Sequence, residues 1–325
     1  MKAIVRPRYG SPDVLQLKEV EKPAPADNQV LVKVYAASIN KSDYYALGES
    51  IIMRLLGGGV RRPKDEKIGS DVAGRVEAVG KNVTQFRPGD EVFGDAHGAY
   101  AEYVCAREGL LALKPGNVTF EEAAAVPVAA ITALQGLRDK GRIQAGQKVA
   151  IDGASGGVGT FAVQIAKSYG AEVTAVCSTG NVESVRKMGA ARVIDYTKED
   201  FTKGGDKYDL ILGVNGNRSI FGYRRALGPK GIYVMAGGSN PLRMIVQTAI
   251  LGKLMSRSKG RKLGFMGIAK LNQKDLVVLK ELMEAGRIKP LVDRRYPLGE
   301  TAEAMRYLGE GHAKGKVVIT VEHSN

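Results

Sequence analysis

Seven consecutive residues, Gly153-Ala154-Ser155-Gly156-Gly157-Val158-Gly159, carry the most specific chemistry in the chain. They follow a short apolar run, residues 148–151. They precede a stretch in which Phe161, Ile165, Ala166 and Tyr169 recur at helical spacing. A glycine-rich turn between a strand and a helix has little side chain to hold a ligand off the backbone. The unspent N–H groups of the helix's first turn, and its dipole, attract negative charge. The segment contains A-x-G-x-x-G, a variant of the dinucleotide fingerprint. Gly156 can let a pyrophosphate come close, and Gly159 can let the helix pack on the strand. Alone, the pattern describes any tight turn of an α/β protein. Its place in a strand–turn–helix–strand unit makes it a nucleotide site, with Ala154, Ser155, Gly157 and Val158 completing the cradle.

The next apolar run, Glu172–Cys177, ends in Ser178-Thr179-Gly180-Asn181. A unit that binds NADH usually carries Asp or Glu here to hold the ribose hydroxyls. This segment has none, and Ser178, Thr179 and Asn181 can hydrogen-bond a 2′-phosphate. Arg186, Lys187 and Tyr196 lie nearby in sequence. NADPH is the expected cofactor. Two readings stay open for Ser178 and Asn181, phosphate contact or a cap on the following helix. Two also stay open for Arg186 and Lys187, phosphate contact or solvated helix surface.

These residues need a scaffold. The first ~120 residues read as β-rich: Val30-Leu31-Val32-Lys33-Val34-Tyr35, the run 72–79, the turn Pro88-Gly89-Asp90 and then Glu91-Val92-Phe93-Gly94. Thr119 and Glu122 form a capping box that opens a helix, interrupted at Pro127 and resumed to about Lys140. Strands and helices then alternate: strands at 148–151, 172–177, 191–194, 208–212 and 231–235, with helices after the glycine turn and at 181–188. That alternation implies a doubly wound parallel sheet. Helices at 272–285 and 301–308 and a strand at 316–320 close the chain.

The 325 residues suit two domains. Hydrophobic residues at 44% and charged residues at 25% match a globular protein and exclude a disordered chain. No apolar run reaches the ~18–20 residues that span a bilayer, and the N-terminus has no signal-peptide core. A cytoplasmic protein is expected. Two cysteines, Cys105 and Cys177, cannot form a disulfide framework or a four-cysteine zinc site. The net charge of +14 invites a polyanionic partner. No Arg/Lys block with interleaved aromatics supports nucleic acid, so most of that charge reads as solvated surface. The stretch 242–270 holds seven Lys/Arg and no Asp/Glu.

The chain resembles the zinc-independent medium-chain reductases, the quinone oxidoreductase and zeta-crystallin group. The resemblance rests on Ala37-Ser38-Ile39-Asn40-Lys41-Ser42-Asp43-Tyr44-Tyr45, on Gly69-Ser70-Asp71-Val72-Ala73-Gly74 and its continuation to Gly80, and on the glycine turn. Val193-Ile194-Asp195-Tyr196 and Gly311-His312-Ala313-Lys314-Gly315-Lys316-Val317-Val318-Ile319 add to it. It implies an α/β fold with a GroES-like β-barrel catalytic domain, residues 1–122 completed by 264–325. A Rossmann domain, 123–263, would be inserted between, with the nicotinamide in the cleft. It also implies that Asn40 and Tyr45 line the nicotinamide and substrate pocket, with Tyr45 donating to the acceptor oxygen. Tyr44 is its rival, and Asp43 reads as a structural hydrogen-bonder. Thr132, Gly237, Gly238 and Phe265 would contact the cofactor, and a homodimer would join through residues 262–268.

Zinc-dependent relatives place Cys and His-Glu where this chain has Asn40-Lys41-Ser42 and Ser70-Asp71. Without a third partner for His97 and Cys105, no metal is expected. Without a Lewis acid, the easier chemistry is hydride transfer from NADPH to a quinone or α,β-unsaturated carbonyl. Many relatives carry a basic residue at Gly180, a departure that weakens the NADPH preference. Residues 55–62 form a variable-looking loop that leaves the acceptor open. Two other readings remain: a zinc-free alcohol or aldehyde oxidoreductase, and an NADPH-regulated protein that binds nucleic acid or a membrane surface through its basic stretch.

Overall fold

The computed structural model describes residues 1–48, 61–215, 218–238 and 260–323. In chain order the elements begin with β1 (Lys2–Val5), β2 (Gln16–Glu19) and the long β3 (Gln29–Ile39). Asn40 then turns β3 into α1 (Lys41–Ala46). Strands β4 (Asp71–Val79), β5 (Glu91–Asp95), β6 (Tyr103–Arg107) and β7 (Leu111–Leu113) follow. α2 (Phe120–Ala124) carries the expected capping box: Glu122 N donates to Thr119 Oγ1 at 3.2 Å, and Thr119 N donates to Glu122 Oε2 at 2.9 Å. After α3 (Pro127–Gln135) strands and helices alternate. They are β8 (Lys148–Asp152), α4 (Gly157–Ser168), β9 (Glu172–Cys177), α5 (Val182–Lys187), β10 (Arg192–Asp195), β11 (Tyr208–Gly213), α6 (Ile220–Ala226), β12 (Leu227–Met235) and β13 (Lys262–Phe265). The chain closes with α7 (Gln273–Glu284), β14 (Val292–Pro297), α8 (Thr301–Glu310) and β15 (Lys316–Thr320).

Two compact units emerge. One comprises Met1–Ala129, Leu271–Gly286 and Pro290–Asn325; the other comprises Ala130–Lys270 and Arg287–Lys289. The expected breaks at 122/123 and 263/264 fall inside α2 and β13. α2 stays with the first unit because Phe120 stacks on Tyr35 with centroids 4.7 Å apart, and Ala123 and Ala124 are buried there. β13 stays with the second because it pairs along β12.

The first unit is built on β3. Its neighbours are β4, β6 and β15, in a seven-stranded sheet ordered β14-β15-β3-β4-β5-β7 with β6 also on β3. β-branched residues of these strands, among them Val30, Val32, Val34, Val72, Val92 and Ile319, make one buried cluster. Such residues are stiff and pack well on a pleated surface. Each contributes roughly 1.5–3 kcal/mol by leaving water.

The second unit holds a six-stranded sheet ordered β10-β9-β8-β11-β12-β13, and every pairing in it is parallel. The chain starts at β8, winds outward to β10, then returns to β11 on the other side. Ligands of such sheets bind at the carboxyl ends of the strands beside that reversal. The register lines those ends up: Asp195 opposite Cys177, Val176 opposite Asp152, Asp152 opposite Gly213, Gly213 opposite Met235 and Met235 opposite Phe265.

Candidate cofactor and acceptor site

The glycine turn begins where β8 ends. Gly153 sits at φ +94, a conformation that L side chains rarely adopt, and a Cβ there would lie 2.9 Å from Asn215 N. Gly153 N and Ala154 N both donate to Val176 O, at 3.1 and 2.9 Å, which ties the turn to β9. Gly159 approaches even more closely: a Cβ would stand 2.0 Å from Gly153 O. This contact lets α4 start directly against the strand. Gly156 differs. It caps α4 without a side-chain hydrogen bond, and among the described residues nothing lies within 4 Å of where its Cβ would be. The result is an uncapped helix N-terminus below open space, the requirement for an anion.

Asp152, the last residue of β8, anchors the turn from beneath. Its buried carboxylate accepts from Tyr223 Oη at 2.7 Å and from Arg218 Nη1 at 3.1 and 3.2 Å. Burial raises the Asp152 carboxyl, and Arg218 opposes that. Its carbonyl accepts from Val214 N and Asn215 N, joining the ends of β8 and β11. Arg218 also reaches Asp200 at 3.0 Å. Sequence reading gave these residues no part, because Asp152 and Tyr223 lie 71 positions apart.

At the end of β9, Asn181 Nδ2 donates to Ser178 Oγ at 3.0 Å and to Ser155 Oγ at 3.2 Å. The glycine turn and the segment after β9 thus share one polar cluster. Neither Ser178 nor Asn181 makes a side-chain cap hydrogen bond, so capping does not account for them. Among the described residues Asn181 Oδ1 is buried without a hydrogen-bond partner. Exchanging the ends of this amide would make the hydroxyls donors and leave an NH2 for a phosphate oxygen. In either orientation the cluster has hydrogen-bonding capacity to spare, which fits a nucleotide.

Thr179 behaves differently. Its hydroxyl donates to Asp195 Oδ2 at 2.6 Å. That bond, with those from Thr197, holds the Asp195 carboxyl down at about 2. The absence of a carboxylate at the end of β9 is therefore only half the picture, since β10 delivers one beside it. Lys198 Nζ stands 3.7 Å from Asp195 and offsets its charge. The parallel register of Asp195 with Cys177 is the signal that could have revealed it. Tyr196 is exposed, and its N–H donates to Cys177 O at 3.0 Å. Arg186 is exposed and paired with Glu183 at 3.2 Å, and Lys187 is exposed on the same helix. Gly237 follows β12, with N–H donating to Gly213 O at 3.2 Å and Cβ space closed by Val214 O. Gly238 is next to it, and Phe265 ends β13, partly exposed. Thr132 lies in α3, half-buried.

In the first unit, Asn40 stands at the centre of a buried polar network. Asp71 is fully buried and accepts four hydrogen bonds. Ser38 Oγ at 2.7 Å, Asn40 Nδ2 at 2.9 Å and Lys316 Nζ at 3.3 Å reach Oδ2; Val128 N at 2.9 Å reaches Oδ1. Lys316, 3% exposed, spends its three N–H groups on Asp71, on Asn40 Oδ1 at 2.5 Å and on Ile39 O at 3.1 Å. Bonds to charged groups such as these contribute about 1.5–3 kcal/mol each. Asp43 accepts from Asn40 N at 2.8 Å, Tyr100 Oη at 2.9 Å and Ser70 Oγ at 3.3 Å, the structural role expected of it. Burial lifts the Asp43 carboxyl to about 6, against the pull of the Asn40 N–H. Asp95 faces Asp71 across β4 and β5; burial, then Asp71 and Asp43, lift it to about 7. Asp43 and Asp95 thus sit beside Asp71, and the Lys316 ammonium is bonded to Asp71.

The two tyrosines of α1 divide. Tyr44 packs on the core, where a Cβ at Gly309 would meet its ring at 2.8 Å. Tyr45 is half-buried outside that cluster, and burial, with Tyr44 adding to it, raises its phenol. His97 pairs with Asp65 at 3.1 Å on the surface, and Cys105 lies half-buried in β6. Among the described residues no three His, Cys, Asp or Glu side chains are grouped to hold a metal. Of the loop 55–62, only Arg61 and Arg62 are among the described residues, and of the basic stretch, only 260–270.

The alcohol dehydrogenase GroES-like domain family matches residues 26–136, and the zinc-binding dehydrogenase family matches residues 188–319. Over 98% of its length the chain is 36% identical to a 2-methylene-furan-3-one reductase of Solanum lycopersicum, covering 79% of that protein. It is 34% identical, with the same coverage on each side, to a chloroplastic NADPH-dependent alkenal/one oxidoreductase of Arabidopsis thaliana. The chain belongs to the medium-chain dehydrogenase/reductase family. The quinone oxidoreductase of Coxiella burnetii superposes with a TM-score of 0.86 at 29% identity, over 99% of both chains. The GroES-like and Rossmann architecture read from the sequence is the architecture of this medium-chain reductase. Lys316 bonds both segments, at Asn40 Oδ1 and at Asp71 Oδ2.

Proposed function

We propose that this medium-chain reductase transfers hydride from NADPH to a quinone or an α,β-unsaturated carbonyl without zinc. One observation carries the reading: the turn uncapped at Gly156 adjoins the hydrogen-bonded Ser155–Ser178–Asn181 cluster, in a chain whose relatives include an NADPH-dependent alkenal/one oxidoreductase. The cofactor, when bound, supplies the hydride. The first turn of α4 binds pyrophosphate through its backbone N–H groups, with Ala154, Gly157, Val158 and Gly159 shaping the cradle. Ser178, Thr179, Asn181 and Tyr196 hold the adenosine ribose and its phosphate. Gly237 and Gly238 would contact the nicotinamide ribose, and Thr132 and Phe265 the nicotinamide. Tyr45 donates its phenol hydrogen to the acceptor oxygen, and Asn40 orients the acceptor. Hydride plus one proton taken up from water completes the two-electron reduction.

A homodimer in the cytoplasm completes the proposal. Ile268, just beyond β13, is 92% exposed, which supports pairing through residues 262–268.

Titrating NADPH and NADH against protein fluorescence tests the cofactor. NADPH binds tighter, and the double variant Ser178→Asp/Asn181→Asp loses NADPH affinity at least tenfold while NADH affinity is little changed. Equal loss for both cofactors would contradict the assigned role. Metal analysis that finds one tightly bound zinc per chain would overturn the zinc-free chemistry.

A further inference from the structure

We propose that Lys316 is a positioning residue: with Asp71 it locks the Asn40 side-chain amide in one orientation, so that Asn40 presents a donor to the acceptor substrate. The inference rests on the reading of Asn40 as an acceptor-pocket residue. The two ends of an asparagine amide are nearly isosteric but opposite in sense, one an acceptor and one a double donor. What faces each end decides which way the amide lies.

Here the neighbours admit one answer. An ammonium only donates, and it stands 2.5 Å from Oδ1. A carboxylate only accepts, and it stands 2.9 Å from Nδ2. Turning the amide over would set donor against donor and acceptor against acceptor in a buried site. Neither flanking group can swing away. Lys316 has an acceptor for each of its three N–H groups, and Asp71 is fixed by Ser38 Oγ and Val128 N as well. The lysine is supplied by β15 and Asp71 by β4, both laid against β3, which delivers Asn40. The bonds to Asp71 and Lys316 use one amide hydrogen and the oxygen of Asn40. Among the described residues no acceptor takes the second N–H, which remains to donate to a carbonyl.

The test uses the full chain. Lys316→Met alone leaves Asp71 buried without its cation, and such a variant can fail to fold. Asp71→Asn/Lys316→Met removes both charges and puts an amide, which can either donate or accept, in place of the carboxylate. Two readouts follow. In asparagine-15N-labelled wild-type protein, Asn40 gives one side-chain amide signal pair, assigned by its loss in Asn40→Ala, with one proton shifted downfield by the carboxylate. In the double variant that shift disappears. Second, kcat/KM for an enone falls ten- to a hundredfold in the double variant with NADPH Kd unchanged, and Lys316→Arg, another donor-only cation, recovers part of the loss. Two Asn40 signal pairs in the wild type would overturn the lock whatever the activity. A folded double variant with kcat/KM within twofold of wild type would reduce Lys316 to charge balance. If the wild type oxidises NADPH with no enone or quinone, the functional reading fails, and the amide signals still decide the lock.

Discussion

Asp43 and Asp95 show how single residues record their surroundings. Each is an ordinary carboxyl made reluctant to ionise by burial and by the other acids of the Asp71 cluster. In the unfolded chain both ionise near the usual aspartate value, ~3.9. Their folded pKa values are higher, so the stability they contribute is complete below about pH 4. It is lost as pH rises through about 6 for Asp43 and about 7 for Asp95. The lowered acids, Glu77, Glu91 and Asp195 among them, act with the opposite sign but titrate below this window. The melting temperature should therefore fall between pH 5 and pH 8, and Asp95→Asn should flatten the upper part of the fall. A melting series equally steep in wild type and variant would refute this account of Asp95.

At the scale of elements, the glycine turn is a product of β8, β9 and α4 meeting at three glycines, and its structure was legible because its signals are local. Gly153, Gly156 and Gly159 lie within seven residues, the apolar runs have strand length, and helical spacing resumes at once. The braces of that turn were not legible. Arg218 and Tyr223 reach Asp152 from 66 and 71 residues away, and no periodicity records such a contact. Arg218→Ala would leave Asp152 without its cation in a buried site, a loss of about 3–5 kcal/mol. Chemical denaturation should show this, and NADPH should recover part of it by binding the folded form. A loss below 1 kcal/mol would mean that Tyr223 and the backbone suffice to hold β8. Distance hid the lysine too: Lys316 lies 276 residues from Asn40 in sequence, and the motif that contains it gave no hint of its partner. The carboxylate at Thr179 escaped for a related reason, since only the pairing of β10 on β9 brings Asp195 there.

For the whole molecule, two units divide the work. The second gathers the glycine turn, Ser178, Asn181 and Gly237 along the carboxyl edge of its parallel sheet. The first gathers Asn40, Tyr45 and the Asp71–Lys316 pair at the end of β3. The proposed homodimer belongs to this scale. Light scattering should give twice the 34.7 kDa chain mass, and Ile268→Asp should shift the protein toward monomer. A wild-type monomer at micromolar concentration would contradict it.

Passage of hydride from NADPH to an electron-poor acceptor can be followed with NADPH carrying deuterium at the transferring C4 position and a panel of enones. NADPH should be consumed, and the saturated ketone should bear one deuterium at the former β-carbon. Saturated ketone without that deuterium, or no consumption with any enone or quinone, would contradict it.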